Sequence, residues 1–271
     1  MKLLEGKKVA DKILDKIKKD IKKSQRKPSL AVVLIGNDKA SELYVKIKKE
    51  EAKKVRIDFF LFRFKENSSE KKVIEKIRNL NRDRKISGII VQLPLPKKIN
   101  TQKIISSVSS LKDVDGFSAN GKNSKSVLKP VFPMAIIKLL ESSGQKIDNK
   151  KAIVISNSKL FGEVMSKALR EKKMKSGYIL KKEIKNNLAK IKRADILVSA
   201  VGSRGIIKGE MIKSGAIVID GGIAKEKNKV FGDVDFKSVK NIAGFLTPVP
   251  GGVGPVTVAC LLKNVYLASK L

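Results

Sequence analysis

Histidine and tryptophan are absent from this 271-residue chain, and cysteine occurs once, as Cys260. With no histidine and one thiol, neither a Cys/His zinc site nor a histidine-based catalytic triad can be assembled. No internal disulfide can form either, which fits a reducing compartment, so the expected location is the cytoplasm. Long apolar runs are missing: no stretch approaches the roughly twenty residues a membrane helix needs, and Met1–Lys8 lacks the apolar core of a secretory signal. Aromatic residues make up only 5% and acidic residues number 26 against 60 Lys+Arg, a formal net charge of +34. Such charge points first to nucleic acid. However, the basic residues fall as singles and pairs on every expected helix, without a basic tail, and rings for base stacking are scarce. The expectation is therefore no metal, no membrane and no specific nucleic acid, with a positive field that concentrates anionic small molecules.

What the chain does have is a concentrated turn near its C-terminus, Leu246-Thr247-Pro248-Val249-Pro250-Gly251-Gly252-Val253-Gly254-Pro255. So many prolines and glycines exclude a helix or a paired central strand. Gly244-Phe245-Leu246 leads in and Val258–Leu262 leads out, so the pattern predicts a strand end, a stiff turn and a helix with Pro255 in its first turn. Side-chain-free Gly251 and Gly252 let a flat ligand approach the backbone; a tight strand-to-helix connection is the plain alternative.

The rest alternates strand and helix. Val9, Ile13, Ile17 and Ile21 give an amphipathic first helix. Ser29–Ile35, Ile57–Phe62 and Gly88–Leu93 read as strands, with helices over about Ala40–Lys54 and around Val73–Leu80 between them. After a helix beginning near Pro133 the alternation restarts, with strands at Ala152–Ile155, Ala194–Ala200 and Ala216–Asp220 and a helix from Gly162 to Arg170. This is an α/β chain of two lobes, the second of Rossmann type, whose ligands belong beyond the carboxyl ends of the strands. The lobes are expected over 1–134, with the helix 255–271 packing back on it, and over 135–254.

Three places could carry chemistry. Ser41, Tyr44 and Lys48 share one helical face after a strand end at Gly36, although several neighbouring lysines must be solvated. A lysine withdrawn from water has its pKa lowered and can carry protons at neutral pH. Gln92, at the end of an apolar strand, can orient a lysine or a ring, or simply face water. Asp115 on an Asp-Gly turn can accept two parallel hydrogen bonds from an amino-pyrimidine, or serve the turn alone.

In order along the chain, Gly36–Ser41 with Tyr44 and Lys48, Val91-Gln92-Leu93-Pro94-Leu95-Pro96, Lys112-Asp113-Val114-Asp115-Gly116 and Thr247–Pro255 together resemble the bifunctional methylenetetrahydrofolate dehydrogenase/cyclohydrolase family,. The resemblance runs almost end to end. It implies a cleft between the lobes where methylene-tetrahydrofolate gives a hydride to NADP and water then opens the methenyl cation to 10-formyl-tetrahydrofolate. It also implies a homodimer. Residue by residue, it makes Lys48 the essential lysine, Gln92 its partner, Tyr44 the ring packed on the folate and Asp115 the carboxylate holding the pterin. Ser41, Val91, Leu93, Pro250, Gly251 and Gly252 would line the folate site. Ser156, Asn157, Ser158, Gly162, Ala200, Gly202, Gly222 and Ile223 would line the cofactor site.

The second lobe departs from the family's pattern. Where relatives read Gly-Arg-Ser-x-x-Val-Gly-x-Pro, this chain has Ser156-Asn157-Ser158-Lys159-Leu160-Phe161-Gly162-Glu163-Val164. The arginine that would fork onto a 2′-phosphate is missing, and Lys159, Lys181 and Lys182 are available only as point charges. Weak preference for NADP, with NAD also accepted, is the expected result. A cyclohydrolase with a weakened or lost dehydrogenase is the alternative.

Overall fold

The computed structural model describes residues 1–117, 128–226 and 229–271. The chain forms two compact units, one of Asp11–Val131 with Val258–Leu271, the other of Met1–Ala10 with Phe132–Thr257. Among the described residues no helix is long and apolar enough to cross a membrane, and no three acidic or Cys side chains gather as a metal site.

In chain order the elements are β1 (Lys2–Leu3), α1 (Gly6–Lys22), β2 (Ser29–Ile35), α2 (Lys39–Lys54), β3 (Asp58–Phe64), α3 (Glu70–Arg82), β4 (Gly88–Val91), α4 (Thr101–Ile105) and α5 (Val131–Ser142). They continue with β5 (Lys151–Ser156), α6 (Lys159–Glu171), β6 (Lys175–Leu180), α7 (Leu188–Lys192), β7 (Ile196–Ala200) and β8 (Ile217–Asp220). Last come β9 (Ala224–Glu226), β10 (Lys229–Phe231), α8 (Phe236–Val239), β11 (Phe245–Leu246) and α9 (Val253–Ala268).

The Asp11–Val131 unit is built on a parallel sheet in the order β3-β2-β4. Every residue of β2 is buried, as a strand covered on both faces requires. Ile89 bridges Asp113 in parallel, and its N–H donates to Lys112 O at 2.7 Å. The run into Asp115 is thereby laid along the β4 edge. Helix α2 starts where Asp38 Oδ2 accepts from Ser41 N at 2.7 Å, an N-cap. It ends with Arg56 at φ 65° and Ile57 N donating to Ala52 O at 2.9 Å, a Schellman-type stop. In α3, Val73, Ile77 and Leu80 are buried.

Three differences from the sequence reading have simple causes. Helix α1 buries Ala10, Leu14, Ile17 and Ile21 rather than a strict every-fourth stripe, because at 3.6 residues per turn such a stripe drifts off the face; Val9 and Ile13 flank it half-buried. β3 runs on to Phe64, pairing with Ile35, two residues past the expected end. β4 stops at Val91, since Pro94 has no N–H to continue the ladder.

The other unit carries a six-stranded sheet in the order β1-β11-β8-β7-β5-β6, all parallel. Two of its strands escape sequence periodicity. Edge strand β6 opens with Lys175, Ser176 and Gly177 and is mostly half-exposed. β1 has two residues, pairing Lys2 with Phe245 and Leu3 with Leu246. That pairing groups residues 1–10 with this sheet, whereas the expected first lobe began at residue 1.

Candidate functional site

The carboxyl end of β4 collects the polar groups of the Asp11–Val131 unit. Leu93 O accepts from Gln92 Nε2 at 2.7 Å and from Ser41 Oγ at 3.4 Å, tying the start of α2 to the strand end. Two helical turns on, Lys48 Nζ donates to Gln92 Oε1 at 2.8 Å. One carbonyl and one glutamine thus hold both ends of the expected Ser41–Lys48 face. Tyr44, between them, is half-buried, and burial raises its pKa. Val91 is buried in the strand itself.

Asp115 enters from the segment beside β4. Asp113, buried at 4% exposure, accepts from Gly116 N through Oδ1 at 3.0 Å and so shapes the turn. Gly116 has φ +80°, and a Cβ there would lie 2.7 Å from Pro130 backbone; only glycine fits. Burial pushes Asp115 up to about 6, with Lys48 pulling it down and Asp113 pushing it further up. Burial lowers Lys48, with Asp115 opposing. A lysine easier to deprotonate and an acid easier to protonate therefore interact electrostatically, the arrangement that proton-handling sites use,.

The proline–glycine turn lies in the other unit. Gly251 has φ +101° and open space where a Cβ would be. Gly252 is required for packing: a Cβ there would meet Pro248 O at 2.5 Å, and one on Gly6 would meet Gly252 O at 1.7 Å. Pro250 is exposed.

At the second sheet, the order β6-β5-β7 puts a topological switch between β5 and β7, where dinucleotides bind. Ser158 caps α6, its Oγ accepting from Phe161 N at 3.3 Å. Residues 157–160 are exposed, leaving a helix N-terminus of the kind that takes phosphates. Gly162 lies against Tyr178, whose ring a Cβ would meet at 2.6 Å. The side chains of Ser156 and Asn157 each bond to a neighbouring backbone carbonyl. Ser156 Oγ donates to Ser158 O at 2.8 Å, and Asn157 Nδ2 donates to Val201 O at 2.8 Å, so the donor expected for a cofactor phosphate is committed to the fold.

Two aspartates hold the turns opposite. Asp233, fully buried, accepts from Ser199 Oγ, Val201 N and Ser203 N, each at 2.7 Å, and so shapes the loop carrying Ala200 and Gly202 (φ +64°). Asp220 accepts from Gly222 N, Asp233 N and Val234 N at 2.9–3.0 Å; burial pushes it up to about 6 against those bonds. Gly222 faces Asp233, with only 2.1 Å for a Cβ. Ile223 is 44% exposed beside this turn. Asp233 stands in the sequence as Gly232-Asp233-Val234, but its three partners at 199–203 cannot be read there.

Two family models match the chain. The tetrahydrofolate dehydrogenase/cyclohydrolase catalytic domain covers residues 4–115, and the NAD(P)-binding domain of the same enzymes covers residues 130–271. The bifunctional protein FolD of Staphylococcus aureus is 37% identical over all of this chain and 97% of its own length. The bifunctional dehydrogenase/cyclohydrolase of Campylobacter jejuni superposes with a TM-score of 0.93 at 34% identity, covering 100% of this chain and 99% of the other. The Trypanosoma brucei enzyme, solved with NADP and an inhibitor, gives a TM-score of 0.90 at 28% identity over 98% and 96%.

Proposed function

The chain belongs to the tetrahydrofolate dehydrogenase/cyclohydrolase family, and we propose that Lys48, Gln92 and Asp115 are the groups with which it handles its folate. The protein is a bifunctional enzyme. It oxidises methylene-tetrahydrofolate to the methenyl cation with NADP and hydrolyses that cation to 10-formyl-tetrahydrofolate. The observation that carries the residue assignment is the 2.8 Å Lys48–Gln92 bond, with the half-buried Asp115 close enough to interact electrostatically with the same lysine.

Oxidation needs positioning above all, because the nicotinamide, when bound, accepts the hydride. The Ser156–Ser158 turn, Gly162, Ala200, Gly202, Gly222 and Ile223 would hold that cofactor, and the exposed start of α6 suits its phosphates,. Hydrolysis needs proton transfer. Water adds to the methenyl carbon while neutral Lys48 takes its proton. The C–N5 bond then breaks as N5 receives the proton held by Lys48 and the carbinol hydroxyl gives up its own to become the formyl C=O, so the net step releases one proton. Gln92 Oε1 fixes the direction of the lysine's donors. Ser41, Tyr44, Val91 and Leu93 shape the wall of the folate site at the end of β4.

Asp115 holds the pterin by accepting two adjacent N–H groups of its amino-pyrimidine edge. Asp115→Ala is expected to weaken tetrahydrofolate binding by about 1.5–3 kcal/mol, as for hydrogen bonds to a charged group. A protonated acid offers one acceptor fewer. Affinity should therefore be full above the Asp115 pKa of about 6 and fall as pH drops through it, and Asp115→Asn should flatten that profile. Calorimetry across pH 5–8 checks both, and an unchanged affinity in Asp115→Ala rejects the assignment.

With Asn157 tied to Val201 O, nothing at that turn forks onto a 2′-phosphate, and Lys181 and Lys182 act only as exposed point charges,. Michaelis constants for NADP and NAD should differ by less than about tenfold, an interaction of roughly 1.4 kcal/mol. Strong rejection of NAD would show that the lysines replace the arginine fully. The same reading makes the enzyme a homodimer, which sedimentation of the purified protein tests, and places it in the cytoplasm, which cell fractionation tests.

A further inference from the structure

Helix α9 is apolar on nearly every side and almost wholly buried, yet it carries one amide in its interior. Asn264 is 1% exposed. Its Nδ2 donates to Val114 O at 2.8 Å and to Lys129 O at 2.9 Å. Those two carbonyls lie on the two chain passes that bracket Asp115: Val114 precedes it, and Val131 N donates to Asp115 O at 3.1 Å. The two passes also touch at Gly116, whose missing side chain admits Pro130. Asn264 Oδ1 has no hydrogen-bond partner among the described residues. A buried, unpartnered oxygen is unfavourable, and a leucine in this apolar helix would avoid it. The amide is therefore placed for its two N–H groups.

We propose that Asn264 is a positioning residue for folate recognition, clamping the two backbone passes around Asp115 so that its carboxyl group is presented at a fixed angle. The inference rests on the reading of Asp115 as the pterin acceptor. A rigid acceptor pair matters because two parallel hydrogen bonds lose their geometry with small rotations, and side chains that act on a ligand need neighbours that lock them.

The test uses Asn264→Ala and Asn264→Leu, the second keeping the helix packed while removing both donors. Tetrahydrofolate and NADP binding are measured by calorimetry in each variant, alone and combined with Asp115→Ala. Both variants are expected to raise the Kd for tetrahydrofolate about tenfold or more, to leave that for NADP within twofold, and to add less than twofold once Asp115 is alanine. The pH midpoint of tetrahydrofolate binding should also fall, as a loosened Asp115 regains water; Lys48 and Asp113 are the charged groups facing it. An unchanged Kd overturns the proposal, as does an equal loss with and without Asp115, which marks a merely structural role. Failure of both variants to fold overturns it in the same way. If Asp115→Ala itself leaves the Kd unchanged, the Asp115 reading is the part that fails, and the clamp falls with it.

Discussion

Lys48→Ala will bind tetrahydrofolate close to normally and lose methenyl hydrolysis by about 10²–10⁴-fold, the range that removal of a positioned acid–base group produces. Burial lowers the lysine's pKa, which makes the neutral amine that can take a proton from water easier to reach. The Gln92 bond directs that amine, so Gln92→Leu should give a smaller loss of the same kind. Lys48→Arg should fail to rescue, because a guanidinium stays charged at any pH at which the fold survives. Hydride transfer, which asks the side chain for no proton, should suffer less. Following methenyl absorbance at pH 7–8 measures the hydrolysis directly. A rate within a few-fold of the parent would remove Lys48 from the hydrolytic step.

The second large effect belongs to the cofactor unit. Asp233→Ala leaves Ser199 Oγ, Val201 N and Ser203 N without the acceptor they share. Each buried group left unpaired costs about 1–3 kcal/mol, so a loss of at least about 3 kcal/mol is expected, against about 5–15 kcal/mol for a whole domain. The loop bearing Ala200 and Gly202 should come apart first, so NADP binding should vanish at temperatures where the protein is still folded. Asp233→Asn should sit between, since one oxygen becomes a donor facing donors. Thermal melts with and without NADP separate the two losses, and a variant that melts normally and binds NADP normally would refute the assignment.

Much of this was legible in the chain itself. Lys48, Gln92 and Asp115 stood out because helical spacing, a polar residue closing an apolar strand and a carboxyl group on a glycine turn are local patterns. Their meeting at one strand end was not local, and only the Gly36–Asp115 motif order suggested it. Strand β6 was missed because an edge strand with exposed residues shows neither a buried run nor clean alternation,. β1 was missed because two residues carry no period. Asn157 reads as an available donor in sequence, and only the β5–β7 pairing puts Val201 O within its reach. Asp233 and Asn264 belong to the same class. Each is a single polar residue whose partners lie distant in sequence, 30–34 positions away for Asp233 and 135–150 for Asn264.

The discontinuity of the Asp11–Val131 unit sets a timetable for synthesis. Its sheet emerges early, but the segment Val258–Leu271 that completes it emerges only after the whole of 132–257 has been made. At roughly 5–20 residues per second that interval is about 6–25 s. Throughout it the apolar seat of the last helix has no occupant from its own chain, and the carbonyls of Val114 and Lys129 await the Asn264 amide. The nascent chain therefore spends seconds with this apolar seat uncovered, and the folate side matures later than the order of its strands suggests.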